Sequence, residues 1–193
     1  TMMALFIARL GTSASASHQV AANLAALLYM VPLSFSIATS ARTSYWIGAQ
    51  NFNMMKKSVR SGFEFILLIA FVLAAIVGFW QKEIASIYVK DHNILELTAQ
   101  LIGLVALYHF FDAIQTMCFF VLRSLKIVFI PFLFYSCLLW GLGLGGGFIL
   151  AYEYDILFYQ SPSAFWLSSS TALFLVSLSM LFLLRNKLKG FSS

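Results

Sequence analysis

ILELTAQLIGLVALYHFFDAIQTMCFFVL, residues 94–122, is the stretch whose reading decides the fold. A helix needs roughly 17–25 apolar residues to cross a bilayer, and this run exceeds that length. In its middle sits Asp112, with Tyr108 one helical turn before it and Gln115 almost one turn after it. A carboxylate held at that depth costs several kcal/mol unless something solvates or pairs it, so an intramembrane acid points to a functional site.

Working outward, residues 20–41, 63–80, 127–152 and 164–184 are also long and apolar enough to span. The chain is 61% hydrophobic and 10% charged, with 20 Phe and a mean hydropathy of +0.89. A soluble domain carries about 25% charged residues, so this sequence could not clothe a water-facing surface. The expected class is an all-α membrane protein.

Residues 1–10 form half a span, opening on Thr1 inside an apolar run with neither a cap nor a basic leader. No positive n-region or small-residue cleavage site of a secretory signal is present. The expectation is a first helix cut short, in a piece of a larger protein. Cys118 and Cys137 both fall inside spans, which argues for packing and against a disulfide framework.

Of the twelve basic residues, nine gather on one side. Arg42, Lys56, Lys57 and Arg60 follow the second span, Arg123 and Lys126 the fourth, and Arg185, Lys187 and Lys189 the sixth. Arg9, Lys82 and Lys90 fall on the other side, with Glu83, Asp91, Glu96, Glu153 and Asp155. The positive-inside rule then places the C-terminus in the cytoplasm, with residues 185–193 as a tail. The charges hug helix ends rather than forming one soluble basic face, so no nucleic-acid partner is indicated.

Residues 11–17, Gly-Thr-Ser-Ala-Ser-Ala-Ser, read as a short connection. Pro32 interrupts the second span, and its freed carbonyl must be re-satisfied by neighbours, which marks a kink. Residues 48–53 read as a turn leading to a basic amphipathic stretch at 54–60, and residues 90–93 as an outer polar turn. Gly141, Gly143, Gly145, Gly146 and Gly147 lie in an apolar helix without a preceding strand. Close helix approach or bending is the expected use of that cluster, not a dinucleotide cradle.

Helical spacing puts Tyr108, Asp112, Gln115 and Phe119 on one stripe, with the phenol within reach of the carboxylate. Such a carboxyl can bind a proton or, with hydroxyl and carbonyl oxygens, a small hard cation such as Na+. A structural acid paired with arginine is the plain alternative, and no arginine shares its depth. Glu64 lies near an interface and reads as a partner of Arg60 at i−4. His109 reads as a packed histidine that can reach the cluster; His18 and His92 fall at span ends, without metal-ligand spacing. Asn23, Met30 and Ser34 form a second stripe with Tyr29 beside it, suited to an adaptable cavity wall or to interhelical hydrogen bonds. Ser34, Ser36, Thr39 and Ser40 read mostly as backbone-bonding or packing positions.

These residues carry a resemblance. Gly11-Thr12, His18-Gln19-Val20-Ala21, Asn23, Leu28-Tyr29-Met30-Val31-Pro32, Ser36-Ile37-Ala38, Arg42 and Gly48 together resemble the opening of the C-terminal lobe of multidrug and toxic compound extrusion (MATE) transporters. The run from Leu107 through Asp112-Ala113-Ile114-Gln115 resembles that family's tenth helix, with Leu122-Arg123 at its cytoplasmic end. Ser163-Ala164-Phe165-Trp166-Leu167 resembles the start of the twelfth. The resemblance implies a twelve-helix antiporter of two six-helix lobes with a drug cavity between them, of which residues 1–189 would be the C-terminal lobe. It also implies a multi-pass protein of the cell inner (plasma) membrane that exports organic cations by alternating access. In the bacterial branch a tenth-helix Asp and Tyr belong to the cation site, and these map onto Asp112 and Tyr108. Gln115 is then a neighbouring partner, with Asn23, Tyr29, Met30 and Ser34 as candidates for the substrate cavity. A seventh-helix glutamate of that site would lie upstream of Thr1, in a missing N-terminal lobe. The coupling ion would be Na+ or H+, with no other cofactor.

Two alternatives stand beside this reading. A lipid-linked oligosaccharide flippase of the same architecture would want mid-membrane cations for a pyrophosphate, and none is present. A non-transporting membrane fragment fits the short first helix. An intramembrane enzyme would need a Ser/Lys, Asp/Asp or HExxH pair, which the sequence lacks.

Overall fold

A lipid-facing backbone must satisfy its own hydrogen bonds, and a run of Leu, Ile, Phe and Ala does so only as helix. The computed structural model describes residues 2–153 and 159–191, so Thr1 and Asp155 lie outside it. Among the described residues the chain is helical throughout: α1 (Met2–Ala8), α2 (Thr12–Gly48), α3 (Phe52–Phe79), α4 (Gln81–Tyr88), α5 (His92–Ser124), α6 (Phe129–Leu138), a π-helical segment (Leu139–Gly145), α7 (Gly146–Tyr152) and α8 (Ser163–Lys189). Five helical stretches are long and apolar enough to cross a membrane: α2, α3, α5, the α6–π–α7 unit and α8. They follow one another in the order that hydropathy predicts.

Several local expectations are refined. Residues 12–17 open α2 rather than forming a connection; only Gly11, at φ 108°, takes the left-handed backbone that a side chain would oppose. The small polar residues fit a helix because a hydroxyl can bond back one turn, as Ser15 Oγ does to the Gly11 carbonyl at 3.0 Å. The helix also continues through Pro32, which is buried, so the proline does not end the span. Residues 54–60 belong to α3 itself, whose start is capped where Asn51 Oδ1 accepts the Met54 N–H at 3.1 Å. Residues 185–189, expected at the start of a tail, continue α8 as its last turn, with Lys187 and Lys189 placed where the helix dipole favours cations. The short helix α4 had no hydropathy signal and was not expected.

Helix α5 packs against α2, α3, α4 and α8. Hydroxyls tie the crossings. Ser40 and Ser124 pair at 2.8 Å, Thr98 Oγ1 donates to Ser17 Oγ at 3.0 Å, and Ser177 Oγ donates to the Phe111 carbonyl at 2.9 Å. In hydrocarbon such bonds and close small-residue contacts hold helices together.

The glycine cluster is where α6 widens into the π turn. Ser168 Oγ from α8 donates to the Leu142 carbonyl within it at 2.6 Å. A Cβ on Gly147 would come within 2.9 Å of Phe165 Cα, so α7 and α8 touch backbone to backbone there. Gly141 has nothing within 4 Å. Gly147→Ala is expected to lower stability by about 1–3 kcal/mol, the usual cost of overpacking. Gly141→Ala should leave it unchanged or slightly raised. Thermal unfolding of the natural-length protein in detergent checks both, and equal melting points for the two variants would contradict the close approach.

Candidate functional site

Asp112 lies about 18 Å along the α5 axis from Ser124, well inside a roughly 30 Å hydrocarbon layer. The expected stripe is realised: Tyr108, Asp112, Gln115 and Phe119 all face one cavity of about 590 Å³. Ala25, Ala26 and Tyr29 of α2 close it on one side, and Phe132 and Tyr135 of α6 on another. The two alanines leave the volume open; larger side chains there would fill it.

Asp112 is 9% exposed, and among the described residues it has no ion-pair or hydrogen-bond partner. The arginine-paired alternative therefore has no partner here. Tyr29, Tyr108 and Tyr135 all lie close enough to feel the carboxylate's charge. Gln115 Oε1 accepts from Thr116 Oγ1 at 3.3 Å, and Thr116 lines the same cavity as Tyr29. The polar lining is thus one carboxylate, three phenols, an amide and a hydroxyl.

That donor set suits a hard monovalent cation or a proton. Oxygen donors select hard ions, and one carboxylate among neutral oxygens balances one positive charge. Among the described residues no group of three or more His, Cys, Asp or Glu side chains could hold a metal. Glu64 pairs with Arg60 at 2.7 Å, as its spacing predicts.

Other candidates fall elsewhere. His109 is 2% exposed with Nε2 unpartnered, and it does not line the cavity. Asn23, Met30 and Ser34 do form a stripe, but it faces outward, with Met30 56% exposed. Asn23 bonds Gln19 at 3.3 Å and Ser34 bonds the Met30 carbonyl at 2.8 Å. At 100° per residue Met30 lies about 100° from Tyr29 and about 40° from Ala26, so the stripe borders the α2 wall of the cavity, which Ala25, Ala26 and Tyr29 line.

Two groups were not anticipated. Tyr135 was hidden in an apolar run where nothing in the periodicity singled it out. A second cavity of about 490 Å³ shares Ala25, Tyr108 and Tyr135 with the first and continues to His18, Trp140 and Trp166. Trp166 meets Tyr108 edge-on at 5.5 Å and faces His18 at 5.8 Å. His18 Nδ1 and Trp166 Nε1 are buried without protein partners. Tyr108 therefore stands between an acidic chamber and an aromatic one.

A family model described as MatE matches residues 1–149. The chain belongs to the MatE family. It is 34% identical, over 96% of its length, to a probable multidrug resistance protein NorM of Aromatoleum aromaticum, of which it covers 40%. It is 33% identical over 89% of its length to a multidrug resistance protein NorM of Photobacterium profundum, covering 38% of it. An MdtK multidrug resistance protein of Yersinia pseudotuberculosis is 32% identical over 86% of the chain, with 36% of that relative covered. The chain thus spans about two fifths of the length of these relatives.

For this MatE chain the cavity should expose Asp112 to reagents that partition into membranes. A lipophilic carbodiimide is expected to modify Asp112, whereas a water-soluble one modifies exposed carboxylates such as Glu64 and Glu83 first. Peptide mass mapping distinguishes the two, with Asp112→Asn as the control. No modification at Asp112 would mean that its carboxyl is not reachable from the cavity.

Proposed function

We propose that the chain is the C-terminal lobe of a cation-coupled multidrug efflux antiporter. Asp112 would take up the coupling ion, Na+ or H+, with Tyr108 as an oxygen ligand and Tyr135, Tyr29 and Gln115 as neighbours. The observation that carries this reading is a buried carboxylate without a basic partner, at the wall of a cavity lined by oxygens and aromatic rings. The relatives' names as multidrug resistance proteins support it.

One negative charge cannot serve two cations at once. An organic cation resting against Asp112 and the aromatic faces is held by Coulomb attraction and by the ring quadrupoles. A proton or Na+ arriving at Asp112 neutralises that attraction and releases the drug. Uptake of the ion and discharge of the drug are then two sides of one exchange. A ligand shifts a conformational equilibrium only through different affinities for the two states. Rocking of this lobe against an N-terminal lobe would present the site to alternate faces, as in transporters built from paired repeats. The aromatic chamber at Trp166 and His18 suits flat lipophilic substrates. The excess of cations on the adjoining ends of α2 and α3 and at the C-terminal end of α8 supports a cytoplasmic orientation of that side in an inner-membrane protein.

In the natural-length protein Asp112→Asn is expected to reduce ion-driven drug efflux to the background of non-expressing cells, while expression stays normal. The melting point should be unchanged or higher, because no partner is stranded and a buried charge is removed. Tyr108→Phe deletes one oxygen and should weaken coupling-ion affinity about fivefold, the loss of one ordinary hydrogen-bond-sized contact. Efflux of a fluorescent organic cation, measured with and without sodium across a range of pH, checks both variants. Undiminished efflux by the Asp112→Asn protein would overturn the assignment.

A further inference from the structure

Between α3 and α8, at the end of the bundle where most cations gather, lies a groove of about 500 Å³ away from the Asp112 cavity. Its α3 wall is Lys56, Val59, Arg60 and Phe63, at the spacing of one helical face. Its α8 wall is Leu181, Leu184, Arg185, Leu188 and Lys189, again one face. The two sequences are graded in the same sense. Lys56 and Lys189 stand at the helix ends, Arg60 and Arg185 one turn deeper, and Phe63 and Leu181 deeper still. Val59 and Leu184, each 3% exposed, form the floor. Arg60 is oriented by its Nε bond to Glu64, which leaves the terminal guanidinium nitrogens outside that bond. At Lys56 the groove meets a polar depression lined by Gln50, Asn51 and Asn53.

We propose that this groove is a binding site for an anionic glycerophospholipid of the surrounding bilayer. The phosphate would sit among Lys56, Arg60, Arg185 and Lys189. An acyl chain would lie along Val59, Phe63, Leu181 and Leu184. The amides at Gln50, Asn51 and Asn53 would meet a hydroxylated headgroup such as glycerol. The groove is complementary to such a lipid both in charge and in direction. A free phosphate needs only the cations, whereas a surface that passes from cationic to apolar over about 10 Å along α3 matches an amphiphile lying parallel to the helices. Basic clusters at the ends of membrane helices attract anionic lipids in proportion to their number of charges. Neither Asp112 nor the transport reading enters this inference.

The test uses the natural-length protein in neutral detergent, with phosphatidylglycerol or phosphatidylcholine added and melting temperature followed as the binding readout. Phosphatidylglycerol should raise the melting temperature saturably, and phosphatidylcholine should not. Arg185→Gln combined with Lys189→Gln is expected to weaken apparent lipid affinity about 30-fold at low salt, the effect of two near-surface charges. Lys57→Gln combined with Lys187→Gln removes as much charge from the same side but outside the groove. It should change affinity less than about threefold, and millimolar inorganic phosphate should not displace the lipid. Equal losses in the two double variants would overturn the proposal in favour of diffuse surface charge. Displacement by phosphate would overturn it in favour of a soluble-anion site. If the Arg185/Lys189 variant does not fold, a phosphatidylglycerol carrying a photoreactive acyl chain decides on the unaltered protein. Crosslinks at Phe63 or Leu181 support the site, and crosslinks confined to other helices refute it.

Discussion

Hydrocarbon cannot solvate a charge, and the arrangement of this bundle follows from the one buried carboxyl among the described residues. Asp112 sits on a helix enclosed by others, with α2, α3, α4 and α8 all packed on α5. Shelter from lipid is what lets the carboxylate remain without a basic partner. Its surroundings are then limited to groups that are polar at one end and apolar at the other. Three tyrosines meet that condition, and their rings complete the wall that the oxygens interrupt.

The same absence of water explains how the helices hold one another. Apolar side chains gain little by leaving lipid for a protein interior, so association rests on close approach and on hydroxyl bonds. Gly147 against Phe165 supplies the first, and Ser40 with Ser124 and Ser177 with the Phe111 carbonyl supply the second. The π turn at Leu139–Gly145 joins the two effects, because its carbonyl at Leu142 is met by a serine from the adjacent helix. Glycine there serves both contact and a wider helical turn, and Tyr135 on the adjoining α6 is held against the cavity.

Much of this was legible in the residues. Hydropathy places five spans in order, and helical spacing alone gathers Tyr108, Asp112, Gln115 and Phe119 on one wall. Spacing within a helix says which residues share a face, but not which face turns inward. Asn23, Met30 and Ser34 do share a face, and that face is exposed on α2 and does not line the Asp112 cavity. Nor can one helix's pattern name residues brought in by another, so Tyr135 and the chamber at Trp166 went unseen. Helix ends were misjudged for a different reason. Hydropathy marks the hydrocarbon-compatible core, whereas a helix continues until its caps, as Asn51 and the basic last turn of α8 show.

The positions of opposite charges in this bundle also bear on one another. Between Asp112 and Arg123, α5 presents Ala113, Met117, Cys118, Val121 and Leu122, all buried in one apolar cluster with Val176 and Met180 of α8. That layer contains no ionisable side chain except the thiol of Cys118. A cationic side chain at the basic end would have to lose its water to cross it, at a cost that no nearby acid offsets. The carboxylate is thereby separated from the nine cations at the basic end; on the proposed reading it would be left to exchangeable ones. The cavity reaches it past Ala25, Tyr29 and Tyr135, where small and amphipathic side chains replace the close-packed core. A helix that carried Asp112 a turn or two nearer Arg123 would gain a salt bridge and lose the reason to bind anything else.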